Sequence, residues 1–149
     1  MARMTVDNTE FITEALNRGT KEMIRSVVMA GAKAAEGVMQ DSMTAAGHVP
    51  GGWMKSRATG DMLQSVGHNE YREFYRGGQT DVYPQETDRK GIRNATKAYV
   101  INYGRGGVKR NGGHMGDKFI TGKEKQTEEA VWQAMQAESD RIIENIDKE

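Results

Sequence analysis

The residues able to do chemistry in this 149-residue chain are few and scattered. Its three histidines, His48, His68 and His114, lie far apart, and none has a second histidine or a carboxylate at the spacing by which a helix presents metal ligands. Each reads as a loop histidine. Cysteine is absent, which excludes disulfides and thiolate metal sites and is compatible with intracellular assembly. Gly116 to Lys123 ends in Gly-Lys, yet it is one residue too long for a phosphate loop, and Glu124 stands where Ser or Thr must hold magnesium. The glycines from Gly104 to Gly107 follow an expected strand, as in a dinucleotide turn, but the third glycine is misplaced and no helix follows directly. Ser56 and Ser65 have no marked base, and Glu128-Glu129 read as solvated charge on a helix. No catalytic, metal or cofactor constellation emerges, and the chain reads as a non-enzyme.

One stretch keeps a chemical option open. Gly104 to Asp117 holds six glycines and the basic residues Arg105, Lys109 and Arg110 beside Tyr103. Flexible basic segments wrap phosphate backbones without sequence specificity. The competing reading is a solvated loop that orders against a protein partner. Twenty-one basic and 21 acidic residues cancel, and that balance disfavours a dedicated nucleic-acid binder.

The elements that hold these residues are legible from periodicity, and the length suits one domain, residues 1–149. From Asp7 to about Met43, extending to 46 at most, apolar residues recur at Ile12, Leu16, Met23, Val27, Ala34 and Val38, the spacing of one helix face. Asp7 and Glu10 suit a capping box, Val6 and Phe11 a hydrophobic staple, and Gly47 and Pro50 the stop. Such a helix runs roughly 50 Å, longer than a domain of this size needs. Gly19, Ser26, Ala30 and Gly37 line one edge of its stripe. Interior glycine costs about 1 kcal/mol against alanine, so a close neighbour is expected there: a helix of the same chain or a second copy.

Gly47 to Ala58 reads as a loop, with Trp53 as an anchor on the core or on a partner. Thr59, Gly60 and Asp61 open a short helix bearing Met62, Leu63 and Val66. Residues 66–103 read as a small antiparallel sheet of three to four strands. It begins as a hairpin turning at Gly77-Gly78 and ending at Pro84, and Ala95 to Tyr103 is its most buried strand. After the Gly-rich loop of 104–117, a last helix covers 121–147, with Thr121 and Glu124 as a capping box. Val131, Met135, Ile142 and Ile146 share its face, and Trp132 and Ile143 lie beside it. The expected class is α+β: a long N-terminal helix on a small antiparallel sheet, with a C-terminal helix. No run is apolar enough to span a bilayer, so a membrane partner is not expected.

This order of parts resembles a known family. The segments Thr59-Gly60-Asp61-Met62-Leu63-Gln64-Ser65-Val66, Val82-Tyr83-Pro84, Lys90 to Gly104 and Lys118-Phe119-Ile120 are similar to those of the gene-product-ten family of tailed-phage neck and tail-completion proteins, in the branch common among phages of Gram-positive hosts. Asn102 stands where the family has glutamate, and Lys118 where proline precedes the phenylalanine. The resemblance implies a virion protein of the head–tail junction, assembled in the host cytoplasm as a homo-oligomeric ring. Its implied partners are a tail terminator or tail tube and head-completion or connector proteins, with DNA only passing through the channel. Thr59, Gly60 and Gly104 would then be fold-making turns. A tail terminator or head-closure ring subunit is the near alternative. From another class, the alternative is a small nucleic-acid-binding protein using the basic loop.

Overall fold

The computed structural model describes residues 9–48, 60–75, 77–105, 114–146 and 148, with backbone alone for 9–16, 105, 114 and 115. The first helix, α1, runs Thr9–Ala45, about 55 Å at the α-helical rise. Its expected cap at Asp7, with Glu10, and the Val6–Phe11 staple lie outside the described residues or side chains. The stop at Gly47 is met. Gly47 takes φ 78°, its amide donates to Thr44 O (3.0 Å), and the His48 amide donates to Met43 O (2.9 Å). That pair of bonds satisfies the last free carbonyls of the helix and throws the chain sideways. Pro50 and Trp53 lie outside the described residues.

The short helix α2 (Asp61–Gln64) starts from buried Gly60 at φ 83°, a conformation glycine adopts at no steric cost. Strands β1 (Val66–His68), β2 (Arg72–Phe74), β3 (Gly77–Gln79) and β4 (Val82–Pro84) then form one antiparallel ribbon. β1 pairs with β4 at its base and β2 with β3 at its tip. The register moves by one residue between His68↔Val82 and Arg72↔Gln79, which is a bulge on the outgoing strand. The hairpin is as expected, but its turn is not. The tip lies between Phe74 and Gly77, and Gly77-Gly78 belongs to β3. The Tyr71 ring occupies the space that a Cβ on Gly78 would need, so this glycine serves packing.

Ala95 to Tyr103 is not a strand. With Asn94 it forms a helix: α3 spans Asn94–Tyr103. Its buried face is Asn94, Ala98 and Asn102, a four-residue repeat, while Tyr99 and Tyr103 face outwards. Two of three inward residues are polar, so hydropathy gave the helix no apolar stripe to read. Among the described residues the sheet accordingly has no third central strand, and the β-structure is a set of two-stranded ladders.

Past α3, β5 (Gly104–Arg105) pairs antiparallel with β6 (His114–Met115). Residues 106–113 lie outside the described residues. Gly116 then passes so close to the end of α3 that a Cβ there would collide with the Asn102 carbonyl. The Asp117 and Lys118 amides donate to Ile101 O (3.0 Å) and Asn102 O (3.2 Å). A 3₁₀ turn, Thr121–Lys123, leads into α4 (Glu124–Ile146). The expected Thr121–Glu124 capping box is replaced by Asn102. Its Oδ1 accepts from the amides of Ile120 (2.8 Å) and Thr121 (3.1 Å), satisfying donors that the new helix leaves free.

The core forms where these pieces meet. Met43 of α1, Met62 of α2, Val66 of β1, Ala98 of α3 and Phe119 are buried together, and Met39, Leu63, Val82, Ile101 and Ile120 pack around them. The long arm of α1 is covered by α4, which runs antiparallel to it: Gly31 faces Val131 and Met135, and Ser26 faces Glu138. Carrying that register onward, Ile146 stands abreast of about Arg18, so the first turns of α1 overhang α4 by roughly 13 Å.

Candidate functional site

Two of the three histidines meet carboxylates that sequence spacing did not reveal. His48, 7% exposed, places Nε2 2.6 Å from Asp117 Oδ2 and packs its ring on Phe119 with centroids 5.3 Å apart. Asp117 Oδ1 also accepts from the Phe119 amide (3.1 Å). The pair ties the end of α1 to the segment that opens α4. It is a fold contact, because both carboxylate oxygens are already committed. His68 Nδ1 bonds Glu36 Oε1, joining β1 to α1. The third, His114, contributes backbone to β6. Among the described residues no group of three His, Asp or Glu side chains is placed to hold a metal ion.

The small-residue edge of α1 divides in the structure. Ser26 Oγ donates to Glu138 Oε1 at 2.5 Å, so α4 of the same chain covers that point. Gly31, which the sequence pattern did not single out, is a position of close helix approach: an added Cβ would lie 3.0 Å from Met135 Cγ and 3.1 Å from Val131 Cγ1. Gly19 and Gly37 have nothing within 4 Å of an added Cβ, and Ala30 is half-buried. The two candidate neighbours of this edge therefore separate by position. An internal helix accounts for the middle, and the ends stand open.

Helix α4 is the more informative surface. None of its residues is buried. Val131, Met135, Glu138 and Ile142 form the half-buried seam against α1. One residue further round, about 100° on, Trp132 and Ile143 lie along a second line and are exposed, Trp132 by 68%. Ile146, four residues on from Ile142, keeps the line of the inner face as its spacing predicts, and is exposed as the last residue of the helix. A helix with two apolar lines a quarter-turn or so apart is shaped for two neighbours, as in a helical bundle. Glu138 fastens the inner seam. The Arg141 guanidinium (2.7 and 2.8 Å) and then the Ser26 hydroxyl hold its carboxyl down at about 2, and the same ion pair raises Arg141.

The loop before α3 is built on Asp88. Its Oδ1 accepts from the Lys90 and Ile92 amides, both at 2.8 Å, and Oδ2 pairs with Lys97 Nζ. The Lys97 ammonium and then the Ile92 amide lower this carboxyl to about 2. Gly91 takes φ 76° at the turn, and the Asn94 side chain donates to Gln85 O (3.0 Å).

Of the basic-loop candidates, Arg105 has its backbone in β5, and Lys109 and Arg110 lie outside the described residues. Of the expected turn residues, Gly60 and Gly104 take positive φ, 83° and 88°, and Thr59 lies outside the described residues. Sequence reasoning missed Asn102 as a structural hub, although its place just before Gly104 at the end of an apolar run was a usable signal. Among protein-family models, curated proteins and solved structures, none matches this chain.

Proposed function

We propose that this chain is a structural subunit of the tailed-phage head–tail junction, completing the tail end or joining the tail to the head. It works by packing against copies of itself and against virion neighbours. The observation that carries this reading is the outer line of α4: Trp132 and Ile143 are exposed along a helix with no buried residue, and Ile146 is open at its end. A short domain with a two-helix arm of this length gains little from the arm in isolation and much from a neighbour laid along it. The resemblance supplies the kind of assembly, and the residues that carry it hold positions the fold depends on. Gly60 opens α2, and Phe119 and Ile120 enter the core just ahead of α4.

The test is complementation in a phage whose own copy of the gene is deleted. Supplying the chain with Trp132→Glu and Ile143→Glu should leave filled heads and unjoined tails visible by electron microscopy, while the unaltered chain restores joined particles. Normal infectious particles from the deletion itself would reject the assembly role.

A further inference from the structure

The balanced net charge conceals a segregation. From Glu86 to Lys125 the chain carries ten Lys or Arg and four Asp or Glu; the remainder carries eleven and seventeen. The described part of this basic stretch contains α3 and the segment at 116–118 that bonds back onto its end. Most nearby acids are engaged: Asp88 by Lys97, Asp117 by His48, and Asp61, from outside the stretch, by Arg89 at 3.2 Å. Glu86 and Glu124 are the exposed acids that remain. Lys90, Arg93, Lys118 and Lys123 are exposed and have no acidic partner among the described residues. Lys118 sits at the far end of α3, its amide bonded to Asn102 O.

Between these cations lies the outer face of α3. Arg93, Thr96, Tyr99 and Tyr103 follow one another at helical spacing over about 15 Å, and all are exposed. The two tyrosine rings touch, with centroids 4.8 Å apart, yet are 63% and 61% open to solvent. We infer that this face binds single-stranded nucleic acid, with Tyr99 and Tyr103 as a base-stacking platform and Lys90, Arg93 and Lys118 on the phosphates. A row of cations alone fits any polyanion. The paired aromatic rings select unstacked bases, because a duplex keeps its bases stacked on one another and an acidic protein surface has none. The inference stands independently of the assembly role.

The experiment is fluorescence anisotropy of the full chain with a labelled single-stranded oligonucleotide and its duplex, across a salt series. Low-salt binding to the single strand is expected. Lys90→Glu with Arg93→Glu should weaken it tenfold or more and reduce the log–log salt slope by about 1.4, some 0.7 per lost phosphate contact on a single strand. Tyr99→Ala with Tyr103→Ala should weaken the single-strand complex at least tenfold and leave duplex binding unchanged. Arg18→Glu with Lys33→Glu makes the same charge change on exposed α1 positions and should have little effect. Circular dichroism confirms that each variant remains helical. No binding at low salt, or equal losses at the α3 and α1 sites, would overturn the assignment. So would unchanged single-strand affinity without the tyrosines, or displacement by polyglutamate as readily as by unlabelled oligonucleotide.

Discussion

Asn102 Oδ1 lies 2.8 Å from the amide nitrogen of Ile120, so one fully buried side chain at the end of α3 caps the helical turn that opens α4. The same residue's carbonyl receives the Lys118 amide, and Gly116 slides past it at closer than side-chain distance. The orientation of the long arm is thus set by a polar residue in the core, with Phe119 inserted beside it.

Removing that acceptor strands two amides. Asn102→Ala should destabilise the chain by about 1–3 kcal/mol, the range for losing a helix cap and leaving buried donors unpaired. Asn102→Asp, which keeps the acceptor, should cost less. Urea denaturation checks both: the midpoint should fall further for alanine.

The glycines of α1 give a sharper contrast. Gly19→Ala and Gly37→Ala meet open space, so each should raise the stability of the isolated chain by about 0.5–1 kcal/mol through helix propensity. Gly31→Leu must push against Met135 and Val131 and should cost about 1–3 kcal/mol. Thermal melts of the three variants distinguish the positions. If copies of the chain pack on the open ends, Gly19→Ala and Gly37→Ala will also lower the oligomeric fraction in sedimentation velocity.

Acid should loosen the molecule in a defined window. Glu138 and Asp88 both titrate at about 2 in the fold, against ordinary values of 4.5 and 3.8. Their contribution to stability is present above those ordinary values and is lost as pH falls towards 2. Melting temperature should therefore hold steady from pH 7 to about 5 and decline from there to pH 2. Glu138→Gln, which removes one of the two groups, should make that decline shallower.

How much of this was legible in the sequence depended on which residue types faced inwards. α1 and α4 were readable because Val27, Ala34, Val131 and Met135 put apolar atoms inside at helical spacing. α3 was not, because Asn94 and Asn102 are inside and Tyr99 and Tyr103 outside, the reverse of the usual sorting. Gly77-Gly78 is the strongest local turn signal in the ribbon, yet the Tyr71 ring claims the space beside Gly78 and the turn falls earlier. Such long-range packing leaves no local trace. The histidine–carboxylate pairs were invisible for the same reason: His48 and Asp117 are 69 residues apart. The charge segregation, by contrast, was present in the order of residues all along and was hidden by summing over the whole chain.

The assembly role is tested most directly on purified virions of a phage encoding this chain, by immunogold labelling with an antibody against the chain, alongside mass spectrometry of the particle proteins. The proposal predicts the chain among the particle proteins in several copies, with label confined to the site where the tail meets the head. Absence of the chain from purified, infectious particles would contradict it.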